Sequence, residues 1–274
     1  MKKIVSSIKE LVAEFQKDNV PLLGAAQAYY YLLSIVPMLI LLLSIIPYLN
    51  IDAETAIQAM GNVIPSDTAE VFRENIVGVV EQPNGGLLTL GILGTLWSAS
   101  NGINAFIQSA NEAYNVEETR SFIKVRLLSI VLTLGMIIAI VVALVLPVFG
   151  QVLIDMINLP EQTAILFQIL RWAISVAVIG LVLMALYHFA PNKNIPFKHI
   201  LPGAIITAVL WQLISLAFSF YVSNFGSYSA TYGSLGGVII LMLWFFLTGI
   251  ILMVGAEINV IYHRRHANEK TKAA

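Results

Sequence analysis

The chain has 274 residues, 58% of them hydrophobic and only 11% charged, with 15 basic against 16 acidic side chains and a net charge of −1. A soluble domain carries about 25% charged residues, so the composition excludes an ordinary soluble enzyme. With no cysteine in the chain, it also excludes a disulfide framework or a thiolate metal site.

The charges gather at the chain ends and in short gaps between long apolar runs. Those runs do not alternate, as the strands of an outer-membrane barrel must. Helices are then the way to satisfy the backbone in hydrocarbon. A membrane helix needs about 20 apolar residues. Six stretches qualify: Leu22–Tyr48, Leu87–Ala110, Leu127–Phe149, Ile165–Ala190, Ile200–Val222 and Val238–Tyr262. The expected fold is all-α: a polytopic membrane bundle of six transmembrane helices, plus an N-terminal interfacial helix and short external-loop helices. The expected organisation is a cytoplasmic helix over 1–20, a single membrane domain over 21–263 and a basic tail over 264–274.

In chain order, residues 4–15 place Ile4, Ile8, Leu11, Val12 and Phe15 on one helical face. This is either an amphipathic helix lying on the inner leaflet or a cytosolic helix packed on the bundle. It is not read as a cleavable signal, because Lys9, Glu10 and Glu14 interrupt the apolar stretch that would follow Lys2 and Lys3. The first membrane helix contains Pro37 and ends near Pro47, so a kink is expected. The external loop over 50–86 has a capping-box pattern at Asp67–Glu70 and apolar residues at helical spacing after it. It is either a functional element or a solvated lid.

Thirteen of the fifteen Lys and Arg residues fall in the N-terminal segment, the second and fourth loops and the C-terminal tail. By the positive-inside rule both termini are cytoplasmic.

Two helices carry polar stripes. In the second, Ser100, Asn101, Asn104, Gln108 and Asn111 share a face with Trp97; in the fifth, Gln212, Ser215 and Ser219 align in the same way. Such residues act either as interhelical glue or as the lining of a hydrated cavity. Glu257 is the one acid deep in an apolar run. It requires either an ion-pair partner, such as Arg264, or a role as a proton or substrate site. Arg171 beside Trp172 marks a membrane interface or faces an outward cavity, where it would hold an anionic headgroup.

Several segments together resemble the YihY/BrkB family of bacterial inner-membrane proteins. They are GAAQAYYYLLSIVPMLILL at 24–42, LWSASNGINAFIQSANEAYNVEETR at 96–120, LYHFAPNKNIPFKHILPGA at 186–204, WQLISLAFSFYVSNFGSYSATYGSLGGVI at 211–239 and LMLWFFLTGIILMVGAEIN at 241–259. The resemblance implies six helices with both ends inside, a bacterial inner-membrane location and no settled catalytic residue. Some members have carried a ribonuclease label. The residues here argue against that activity, since the four histidines are scattered in sequence and neither a basic RNA-binding patch nor a phosphate loop is present.

The resulting expectation is a transporter-like protein, not an enzyme, that moves an amphipathic or lipid-linked substrate. Its partners would be membrane lipids, with no nucleic acid and no cofactor. The alternatives are a non-transporting scaffold or assembly factor and, third, an intramembrane enzyme. Some relatives implied by the resemblance are connected to envelope lipid export.

Overall fold

The computed structural model describes residues 2–45, 85–138, 174, 177–225 and 235–273. The expected external-loop helices, Pro47, Arg171 and parts of the expected third and fourth membrane helices lie outside the described residues.

The described residues form seven helices with no strand among them: α1 (Lys2–Lys17), α2 (Val20–Ile45), α3 (Gly85–Ala113), α4 (122–138), α5 (Ala177–Phe189), α6 (Phe197–Phe225) and α7 (Leu235–Ala273). Three are long and apolar enough to cross a membrane, through Val20–Pro37, Phe197–Val222 and Leu235–Ala267. That is three of the six expected spans. α3 has the length, but its polar residues dilute its apolarity. α7 runs to Ala273 and so includes most of the residues of the expected basic tail.

The chain separates into two compact units. One is Tyr30–Ala99; the other is Met1–Tyr29 together with Ser100–Ala274. In the smaller unit, Ser98 Oγ donates to the Leu33 carbonyl at 3.1 Å. A Cβ on Gly94 would sit 3.5 Å from Pro37. Small residues bring these segments close, as the interhelical-glue reading anticipates.

In the larger unit, the turns are set by asparagine. Asn19 and Asn115 have φ of 47° and 50°, a left-handed conformation that asparagine tolerates better than most residues. Asn19 closes α1, and Pro21 then sits in the first turn of α2, where a missing N–H is harmless. Asn115 ends α3 in a Schellman turn, with Val116 N bonding Asn111 O at 3.0 Å and Asn115 N bonding Glu112 O at 2.9 Å.

α6 and α7 form the main helix pair. Their backbones approach where Gly203 faces Gly255, and Gly203 N–H donates to Asn259 Oδ1 at 2.8 Å. A Cβ on Gly255 would collide with the Tyr187 hydroxyl and the Thr207 hydroxyl. Tyr187 donates to the Leu252 carbonyl at 2.8 Å. With its single proton so used, it accepts from Thr207 across 2.7 Å. Gly24 of α2 also meets Gly249 of α7 closely, since a Cβ on Gly249 would lie 2.9 Å from the Gly24 backbone. Around these crossings Ile103, Phe106, Ile107, Tyr187, Ile200 and Met253 fill the core.

Gly255→Ala should therefore lower thermal stability by overpacking, on the order of 1–3 kcal/mol. Gly180→Ala, where a Cβ meets nothing within 4 Å, should leave stability unchanged or raise it. Melting of both purified variants in detergent checks the contrast.

Candidate functional site

Among the described residues, the polar positions predicted from sequence have different surroundings. On α3, Asn111 is buried and bonded through both atoms of its amide: its Oδ1 accepts from Asn192 N at 2.6 Å, and its Nδ2 donates to Glu118 Oε2 at 2.9 Å. Asn101 Oδ1 accepts from Arg126 Nη1 of α4 at 2.6 Å. Asn104 is half-buried and Gln108 is exposed. The buried face of α3 carries Ile103, Phe106, Ile107 and Ala110, and the amide stripe runs along its border. On α6, Gln212 and Ser219 are exposed, and Ser215 Oγ bonds its own helix at Trp211 O, 2.6 Å away. Arg171 is outside the described residues.

Glu257 is different. Its side chain is completely buried beside Asp18, and neither carboxylate oxygen makes a geometrically sound hydrogen bond among the described residues. The expected pairing with Arg264 does not form. Arg264 Nη1 instead bonds Glu14 Oε1 at 2.5 Å, because α1 packs against α7 and brings its own acids to that position. One turn earlier on α1, Glu10 Oε2 is held by Arg265 Nη2 at 2.5 Å, while Arg265 Nη1 holds Ser7 Oγ at 2.8 Å. α1 is therefore a helix packed on the bundle, although Ile8 and Val12 stay exposed.

The result is a buried cluster of three carboxylates, Glu14, Asp18 and Glu257, whose nearest oxygens all lie within 4.8 Å of one another. Lys17 Nζ contacts Asp18 Oδ1 at 3.2 Å and Glu14 Oε2 at 3.4 Å, and donates to Asn115 Oδ1 at 3.0 Å. Asp18 Oδ2 is buried with no partner. Among the described residues, three acids thus face two cations, Lys17 and Arg264. Burying an uncompensated charge is expensive, so the site needs one further positive charge: a proton or a monovalent cation.

The groups around it are tuned accordingly. The Arg264 hydrogen bond holds Glu14 below the ordinary carboxylate range, against the opposing effect of burial. Burial works against the charge of Lys17, yet Asp18 and Glu14 hold its ammonium above the usual range. Burial, and then the nearby Glu257 carboxylate, push the Tyr114 phenol well above its ordinary range. Tyr114 therefore stays neutral beside the cluster, and its buried hydroxyl has no partner.

Two features escaped sequence reasoning. Glu14 and Asp18 read as part of the solvated face of α1; only their i, i+4 spacing hinted at a shared direction. Three histidines that look scattered also meet. His199 Nδ1 lies 2.8 Å from His263 Nδ1, and the His199 and His266 rings are 5.3 Å apart. The i, i+3 spacing of His263 and His266 was the available signal.

Comparison with known proteins decides the family. The family model described as "Virulence factor BrkB" matches residues 11–274. The chain belongs to the BrkB family. It is similar to the ribonuclease-like protein YfkH of Bacillus subtilis (strain 168), at 41% identity over 95% of this chain and 96% of that one. It is also similar to a UPF0761 membrane protein of Vibrio vulnificus (strain YJ016), at 26% identity over 95% of this chain and 83% of that one. A UPF0761 membrane protein of Photobacterium profundum is 28% identical over 94% of this chain and 81% of its own length. No solved structure matches. As a BrkB-family chain with apolar helices of membrane-spanning length, this is an integral membrane protein.

Replacing Glu14 by Gln should lower the melting temperature at neutral pH, because Arg264 loses the carboxylate it is paired with and Lys17 keeps only Asp18. Since the folded-state pKa of Glu14 is depressed, its contribution is present above the ordinary carboxylate pKa and lost as pH falls through the lowered value. The gap between wild type and Glu14→Gln should therefore close on acidification. Glu257→Gln, which removes the surplus acid, should not destabilise at neutral pH. Melting curves of the three proteins across pH test both statements.

Proposed function

We propose that this BrkB-family chain is a transporter-like protein of the bacterial inner membrane that couples a proton to movement of an amphipathic or lipid-linked substrate. The observation that carries the reading is Glu257: a completely buried carboxylate that makes no geometrically sound hydrogen bond among the described residues, set against two further acids. A carboxylate kept only for stability would be paired. One short of its counter-charge is suited to taking up and releasing a proton as its surroundings change. The proposal includes six membrane helices with both termini cytoplasmic, supported by the bias of basic residues toward alternate loops.

The second reading is a non-transporting membrane scaffold. It is favoured by Asn101 and Asn111, whose amides are engaged in structural bonds. An enzymatic role is not proposed. Metal-assisted hydrolysis requires access for substrate, whereas Glu257 has no exposed surface and Lys17 already sits on the other two acids.

Purified protein in liposomes, given a fluorescent phospholipid or a polyprenyl phosphate and an imposed pH gradient, tests the proposal. Wild-type protein should move a probe in response to the gradient, and Glu257→Gln should fold normally yet lose at least tenfold of the gradient-driven rate. Equal rates in the two proteins at every pH would remove Glu257 as the coupling site. No movement by the wild type under either a proton or a sodium gradient would favour the scaffold.

A further inference from the structure

Beside the acid cluster, in the larger unit, lies a pocket of about 160 Å³ lined by Tyr114, Lys193, Val260, His263, Arg264 and Ala267. One water needs only about 10–15 Å³ of such space. Among the described residues, no carboxylate lines this pocket. Its basic groups come from separate parts of the chain: Lys193 from the connection before α6, and His263 and Arg264 from the last third of α7.

These groups have donor capacity to spare. Lys193 is exposed and, among the described residues, makes no ion pair; its partner is the Tyr114 ring, 5.8 Å from Nζ to the ring centre. Arg264 uses Nη1 on Glu14, and the rest of its guanidinium makes no hydrogen bond among the described residues. The Tyr114 hydroxyl is a buried donor with no acceptor. His263 shares one close ring contact with His199, so one of the two rings supplies the proton between them.

We propose that this pocket binds a phosphate group, the chemistry shared by a phospholipid headgroup and free phosphate. A carboxylate is planar and is best met by a single fork of donors. The oxygens of a phosphate point in tetrahedral directions, which suits an ammonium, a guanidinium and a phenol that arrive from different elements. Basic pockets at the ends of membrane helices are placed to receive such groups at the lipid surface. The inference does not depend on transport, because the pocket can be filled whether or not Glu257 couples to a proton.

The test is binding to the purified, delipidated full chain, read by native mass spectrometry and titration calorimetry. The probes are inorganic phosphate, short-chain phosphatidylglycerol and, as a non-phosphate control, a neutral diacylglycerol. Two variants are compared with the wild type: Lys193→Gln, which removes an exposed charge, and Ala267→Trp, which fills the pocket. The expected result is saturable binding of a phosphate-bearing probe, weakened about tenfold by Lys193→Gln, as loss of one charged contact implies, and abolished by Ala267→Trp. Binding of inorganic phosphate alone identifies free phosphate as the source, and binding of phosphatidylglycerol without inorganic phosphate identifies the headgroup. Absence of phosphate-probe binding, binding equal to that of diacylglycerol, or binding unchanged in both variants would overturn the assignment.

Discussion

The shortage of one positive charge where α1 meets α7 is the constraint on which the site depends. Glu14, Asp18 and Glu257 are all buried there, and among the described residues only Lys17 and Arg264 oppose them. In water the mutual repulsion of such groups would be minor, but in the interior it is not screened. The fold must therefore hold α1 against α7 firmly enough to keep the acids together. It does so with two arginine–glutamate pairs one turn apart along α1, Arg264–Glu14 and Arg265–Glu10. The same arginines that hold the helix also deny Glu257 its nearest partner.

The position of Glu257 follows from the register of α7. Gly255 lies two residues before it and Asn259 two residues after it, and both are locked to α6. Gly255 is locked by a backbone approach that admits no side chain, and Asn259 by its bond to Gly203. A shift of α7 along its axis would break these contacts together. Glu257, on the opposite face of α7 at 100° per residue, is thus carried to α1 by packing that has no charge chemistry of its own. Asn115 adds a second tie: its left-handed backbone ends α3, and its side chain takes the Lys17 ammonium. The loop chemistry of α3 and the charge chemistry of α1 meet in one residue.

Much of the scaffold was legible in the sequence because hydrophobic length is a one-dimensional property. The runs beginning at Leu22, Ile200 and Val238 correspond to α2, α6 and α7 within a few residues at most ends. Which face of a helix meets which neighbour is not one-dimensional. The amides of α3 share a stripe, yet that stripe is centred roughly a third of a turn from the buried face at 100° per residue. Asn111 therefore points inward and Gln108 outward. Glu257 was identifiable as an acid in an apolar run, but its neighbours were not. They come from a helix whose charges suit solvent equally well, and the choice between leaflet and bundle is made by Arg264 and Arg265, some 250 residues away. His199 is likewise distant in sequence from the His263 and His266 it meets, so their i, i+3 spacing alone could not reveal the group.

The central claim is that the cluster takes up one proton to balance its charge. Infrared spectroscopy of the purified protein tests this most directly, because a protonated carboxyl group absorbs apart from a carboxylate and its band shifts in heavy water. The account predicts a protonated-carboxyl band in the wild type at neutral pH that disappears in Glu257→Gln while folding and the Arg264–Glu14 pair are retained. A wild-type spectrum without that band, or one that Glu257→Gln leaves unchanged, would contradict it.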